Sequence, residues 1–326
     1  MSRRRRRRTF ITESNDESLN ADLPGYSAVD FTDNMTAFLS TVKARNRSED
    51  TIKFYRQNLT RVRDVLEEQG LSSRLDRITS DMIERNFIVY SMEVRGNAYG
   101  SVALRLRALR AFMNWLEQRG TISDNPMKQI VISKVDTEIQ TYSREQLRDL
   151  FRQPDLETFV GYRDYAILTV LLETGARLRE LVDIRVDDVK FSDKQIVLNG
   201  KTNEFRRVPI QRRTIHVLKR YLKARGRSPV DSLFITQDDD KMSRKGVQDR
   251  LSKYGRMAEI DNVRNSPHTF RHTFAKMSVQ NGANIFELQK ILGHKTLDMV
   301  KVYVNLFSED VAESHRKFSP IENLNM

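Results

Sequence analysis

His268-Thr-Phe-Arg-His-Thr-Phe-Ala275 is the stretch on which the reading of this chain turns. It opens a helical pattern that runs to about residue 280. On a helix, the three-residue step from His268 to Arg271 sets an imidazole and a guanidinium on one face. His268 and His272, four apart, also have the spacing of a zinc-binding pair. Position 269 is Thr, so the glutamate of His-Glu-x-x-His is missing and no metal site is expected.

Outward from this helix, three further segments carry polar chemistry. Thr174-Gly-Ala-Arg-Leu-Arg-Glu-Leu181 contains Arg177, with Glu180 three residues later. Gly200-Lys-Thr-Asn-Glu-Phe-Arg-Arg-Val-Pro209 contains Lys201 at the turn of a hairpin predicted from Gln195–Leu198 and Arg207–Ile210. Leu292-Gly-His294 precedes Tyr303. The set suits displacement at a phosphodiester, whose equatorial oxygens gain negative charge in the transition state. Two permanently cationic, fork-shaped donors, Arg177 and Arg271, make the appropriate clamp. His294 at a Gly-His corner adds a donor, Tyr303 supplies a nucleophile, and Lys201, with its pKa depressed by neighbouring arginines, is a candidate general acid.

In this order, and with nine positions from His294 to Tyr303, the four segments resemble the tyrosine recombinase (phage integrase) family; the resemblance spans roughly residues 30–318. It implies that Tyr303 becomes linked to a 3′ phosphate while a 5′ hydroxyl leaves, and that Glu180 helps to hold the cationic groups. It further implies a homotetramer on two synapsed DNA sites, each an inverted repeat, from a chain that is monomeric when free. Departures are few. Arg179 stands where a small residue is usual, Thr202 where Gly is frequent, and Met299-Val300-Lys301 replaces a hydroxyl-rich lead-in to the tyrosine. Two positions from Arg177 on a helix, Arg179 points elsewhere and reads as a DNA-backbone contact or surface charge.

Upstream of these motifs, four amphipathic patterns follow one another. Phe31, Met35, Phe38, Leu39 and Val42 form the first stripe, and Tyr55, Leu59, Val62 and Leu66 the second, with Ser48 as its N-cap. The third covers about 79–94. On the fourth, about 101–119, Arg105, Arg107 and Arg110 accompany a core stripe of Leu106, Leu109, Met113 and Leu116. These arginines, with Arg179, Arg206 and Arg207, are the candidate DNA contacts. The expected fold is mainly α with a small antiparallel sheet, in five parts. A disordered basic leader (1–24) precedes a helical DNA-binding domain (25–123), which by resemblance is the core-binding domain. A linker at Asn125-Pro126 (124–141) leads to the catalytic domain (142–307), and a tail helix (308–326) packs in trans on a neighbouring protomer. Ser143-Arg-Glu-Gln146 has the capping-box spacing at the start of the second domain.

Charge agrees with a polyanionic partner. The formal net charge is +12, and bases exceed acids in every part: six against four in residues 1–24, 17 against 14 in 25–137, and 33 against 26 in 138–326. There is no cysteine, which excludes disulfides, thiolate metal sites and a thiol nucleophile. The longest apolar-leaning run, Tyr165 to Leu172, is far short of the roughly 20 residues that span a bilayer. Gly200-Lys201-Thr202 ends like a P-loop, but the glycine needed five positions earlier is Gln195, so no nucleotide site follows. Asp238 to Asp240 read as solvated loop acids, and His216 and His315 as surface residues.

The expectation is a cytoplasmic, nucleoid-associated site-specific recombinase that clamps duplex DNA and needs neither metal nor nucleotide, serving integration and excision of a mobile element. Two alternatives share the fold: a DNA-binding regulator that has lost cleavage, and a type IB topoisomerase-like relaxase.

Overall fold

Short polar side chains set where the helices begin. In a computed structural model describing residues 29–134, 139–200, 205–294, 296–297 and 300–303, Asp30 caps α1 (Phe31–Ala44) and Ser48 caps α2 (Glu49–Glu68), each accepting an amide from the first turn. Thr79 caps α3 (Ser80–Met82), which continues as a π-helix over Ile83–Val94; α4 covers Tyr99–Gln118. The expected stripe of α4, Leu106, Leu109, Met113 and Leu116, is fully buried, in one core with Leu59, Val62 and Leu66 of α2 and Phe31 and Phe38 of α1. Edge-to-face contacts of Phe31 with Phe112 and of Phe38 with Trp115 tie α1 to α4.

The chain divides into two compact units, 1–137 and 138–326. Residues 124–141 are not a bare linker. Asn125 caps a 3₁₀ turn at Pro126–Lys128, Met127 and Ile130 enter the first core, and Ile139 packs in the second unit. The leader, Lys201, Thr202 and the 308–326 segment lie outside the described residues.

In the second unit, Ser143 and Gln146 exchange both bonds of the capping box at the head of α5 (Arg144–Arg152). The long helix α6 (Phe159–Thr174) is buried on several sides, through Ala166, Ile167, Val170 and Leu171, and ends at Gly175 with φ 59°. After α7 (Leu178–Asp183) come β1 (Val189–Lys190), β2 (Gln195–Asn199) and β3 (Phe205–Pro209), antiparallel in that order, with Gln195 opposite Pro209 and Asn199 opposite Phe205. Ile196, Leu198 and Val208 turn inward. The two-residue β1 was not anticipated, being too short for alternation to register. Four helices follow, α8 (Arg212–Arg225), α9 (Arg244–Met257), α10 (Pro267–Gln280) and α11 (Ile285–Leu292), and residues 300–303 are again helical.

Candidate active site

Gly175 starts the site. Its left-handed conformation turns the chain from α6 into α7, so that Arg177 becomes the N-cap residue of α7 and Glu180 its third residue. Glu180 reaches back to accept the Arg177 amide at 2.7 Å and Arg177 Nη1 at 3.0 Å. The Arg177 side chain is 39% exposed whereas that of Glu180 is 3% exposed, so the cation faces outward over a buried carboxylate. Burial pushes the Glu180 pKa upward. The opposing hydrogen bonds and charge of Arg206, then Arg177, outweigh it and hold the carboxylate below its usual range.

Arg206 fills the rest of that carboxylate. Its Nη1 and Nη2 donate to the two Glu180 oxygens at 2.5 and 2.7 Å, and its Nε donates to the Ile291 carbonyl at 2.7 Å. The expected assignment of Arg206 to DNA is therefore corrected. All three of its nitrogens are committed inside the protein, where it ties β3 to α7 and α11. Strand periodicity held the signal, because Arg206 lies two residues before inward-facing Val208 and so shares its face.

Arg271, buried on α10, donates from Nη1 to the Gly175 carbonyl at 2.7 Å and from Nη2 to the Leu292 carbonyl at 2.7 Å. The same Nη2 lies 2.6 Å from His294 Nε2. Since arginine can only donate, His294 accepts through Nε2 and carries its hydrogen on Nδ1, a buried atom with no partner among the described residues. Burial and the charges of Arg271, Arg177 and Arg206 push the His294 pKa down to about 4, so the ring is neutral at pH 7. Burial and the other two guanidiniums likewise lower Arg271 to about 10.

Tyr303 lies in helical backbone at 300–303 and packs on Ala275, Leu288, Leu292 and Val300. Its ring stacks on that of His294, centroids 6.3 Å apart and planes 14° from parallel. The phenol oxygen sits 2.9 Å from Nδ1 of His272. Burial raises the phenol pKa, against the opposing charges of Arg271 and Arg177. The structure thus gathers Arg177, Glu180, Arg271, His294 and Tyr303, while His268 is exposed on the same helix as Arg271. His272 is the residue that sequence reasoning weighed only as a zinc ligand. Its four-residue step from His268 placed it on the right side of α10, but nothing in the sequence pointed it at Tyr303. Among the described residues, no group of three or more His, Asp or Glu is placed to hold a metal ion.

The other candidate DNA contacts differ in exposure. Arg207 on β3 and Arg107 on α4 are exposed, and exposed Arg179 is 3.7 Å from Asp183. Arg105 is half-buried, its Nη1 without a partner among the described residues. Arg110 turns inward to donate to the Ile130 carbonyl.

Comparison with known proteins assigns this arrangement to a family. The model of the phage integrase family matches residues 140–310, and that of the phage integrase N-terminal SAM-like domain matches 35–120. Tyrosine recombinase XerC of Pelotomaculum thermopropionicum is 30% identical over 305 residues, 88% of this chain and 97% of that protein. The Tn1549 transposon integrase in complex with a circular intermediate DNA has a similar fold, with TM-score 0.69, 18% identity, and 89% of this chain and 98% of that one covered. XerH site-specific recombinase bound to palindromic difH substrate has TM-score 0.68 and 19% identity, covering 88% and 85%. The chain belongs to the phage integrase family and is a site-specific tyrosine recombinase.

Proposed function

We propose that Tyr303 attacks a DNA phosphodiester held by Arg177 and Arg271, forms a 3′-phosphotyrosine, and releases a 5′ hydroxyl. The observation that carries this reading is a buried phenol whose ring stacks on His294, itself bonded to Arg271. Attack adds charge to the equatorial phosphate oxygens, and fixed cations next to the nucleophile lower that barrier without reorganising. His268, on the Arg271 helix, and His294, through its Nδ1 hydrogen, are further donors to the phosphate. Lys201 is the acid for the 5′ oxygen, and Glu180 positions Arg177.

The substrate in this reading is double-stranded DNA with paired inverted repeats, and the working unit is a homotetramer, because each protomer cuts one strand and two duplexes need four cuts. The task is integration and excision of a mobile element in the cytoplasm. The likeness to a transposon integrase supports this, and resolution of chromosome dimers is a related task. Residues 1–24 serve as a basic leader, and 308–326 as a tail that docks on the neighbouring protomer.

A nicked suicide duplex built from the inverted repeat flanking the gene tests the assignment. The chain should form a covalent adduct that maps to Tyr303, and Tyr303→Phe should bind the same DNA and form none. An adduct at another tyrosine would overturn the assignment. Binding without any adduct would identify a regulator, and relaxation of plasmids lacking the site a topoisomerase-like enzyme.

A further inference from the structure

The nucleophile needs somewhere to put its proton, and the geometry points to His272: we propose that its Nδ1 takes the phenolic hydrogen of Tyr303 during attack and returns it during religation. This rests on Tyr303 being the nucleophile. The 2.9 Å contact is the phenol oxygen's only hydrogen bond among the described residues. The two neighbouring imidazoles are placed for other work. His294 presents a ring plane to the phenol and spends Nε2 on Arg271, and His268, one turn earlier on α10, makes no hydrogen bond to the phenol among the described residues.

The protonation states suit the transfer. Burial keeps the phenol protonated at rest, and burial with the charges of His268 and Arg271 keeps His272 neutral, so a protonated donor faces a basic acceptor. The groups that set this balance are His268 and Arg271 along α10 and Arg177, with the His294 ring stacked against the phenol. In cleavage, the bond from the phenol oxygen to phosphorus forms and the bond from phosphorus to the 5′ oxygen breaks. The phenolic proton passes to Nδ1, and the 5′ oxygen takes a proton from the acid assigned above to Lys201. In religation the 5′ hydroxyl attacks and returns its proton to the amine assigned to Lys201, and the imidazolium gives its Nδ1 proton back to the departing phenol. The proton is borrowed and restored in each cycle, so no co-reactant is consumed.

His272→Asn separates proton acceptance from placement, because the amide oxygen can accept the phenol hydrogen bond from nearly the Nδ1 position but is not protonated. On the suicide duplex this variant should bind as the native chain does and form the Tyr303 adduct roughly 10² to 10⁴ times more slowly, the usual worth of a general base. Its single-turnover rate should keep rising with pH where the native rate has levelled off. The second measurement uses a strand ending in a 3′-(4-nitrophenyl) phosphate, joined to a 5′-hydroxyl strand by protein carrying Tyr303→Phe. Nitrophenolate leaves without a proton, so adding His272→Asn should not change the joining rate. Cleavage by His272→Asn at the native rate would overturn the proposal, as would an equal loss in both reactions, which marks a structural role. Absence of any Tyr303 adduct from the native chain would instead remove the assignment of the nucleophile on which the proposal stands.

Discussion

Glu180 organises the cationic site from beneath, since one of its oxygens accepts from both Arg177 and Arg206 and sets an anion between the two guanidiniums. Its oxygens engage Arg206 and Arg177, while Arg271 is anchored separately on the Gly175 and Leu292 carbonyls. At this scale the sequence exposed the types of residue and their spacing but not their directions. Arg177, Glu180, Arg271, His294 and Tyr303 were legible because the motif order carries them. The inward turn of Arg206 and the contact of His272 with Tyr303 depend on segments that meet only after folding. One residue-scale consequence concerns pH. His294 titrates near 6.5 unfolded and at about 4 folded, so between these values the unfolded chain binds the extra proton. Stability is then complete above about pH 6.5 and falls as pH drops toward 4, by about 3 kcal/mol in all from this group. His272 is also lowered and acts in the same direction. Urea midpoints measured from pH 7 to pH 4.5 should show the decline. His294→Gln, whose amide oxygen can accept from Arg271 without titrating, should make it shallower. An identical slope in that variant would remove His294 as a cause.

At the scale of elements, caps and stripes were readable and unusual backbone was not. Ser48 and Ser143 announced helix starts through short side chains that compete for backbone amides. The π-helix escaped notice because Ile83, Phe87 and Ser91, its buried residues, recur every four positions, a spacing that an α-helix also accommodates over so few turns. Gly175 has a double constraint that sequence could not reveal. Its φ of +59° suits glycine, and an added Cβ would fall 2.7 Å from the Phe274 ring and 2.9 Å from Leu292 Cδ2. We expect Gly175→Ala to cost about 2–4 kcal/mol, combining left-handed backbone strain with overpacking. It should also slow cleavage more than it weakens DNA binding, because the Gly175 carbonyl anchors Arg271. Gly120 is the control: it too has positive φ, +72°, but with open space around its Cβ position, so Gly120→Ala should cost only about 1–2 kcal/mol. Chemical denaturation of the two variants makes the comparison, and equal losses would show that the packing against Phe274 and Leu292 carries no weight.

For the whole molecule the governing quantity is charge, because a duplex presents phosphates at every step and each neutralised phosphate releases counterion. The excess of 17 bases over 14 acids in residues 25–137 and of 33 over 26 in 138–326 is spread over two units, each with its own core. Part of that excess is bound internally, as with Arg206 and Arg110, and part stands exposed, as with Arg107 and Arg207. The six consecutive arginines Arg3 to Arg8 are the densest charge in the sequence. A run of one residue type offers no pattern with which to read base edges, so its contribution to binding should be affinity without site choice. Deleting Arg3 to Arg8 should therefore weaken specific and nonspecific DNA binding by the same factor. The slope of log K against log salt should become shallower by up to about 0.9 for each phosphate that the run had neutralised, about 5 if all six arginines reach one. Stability in urea should not change, since guanidinium groups stay in water and add no apolar surface to a core. Binding isotherms at several salt concentrations, on DNA with and without the inverted repeat, measure both quantities together. An unchanged slope would assign the phosphate contacts to the folded units alone, and a weakening confined to the inverted repeat would show that the arginines take part in choosing the site.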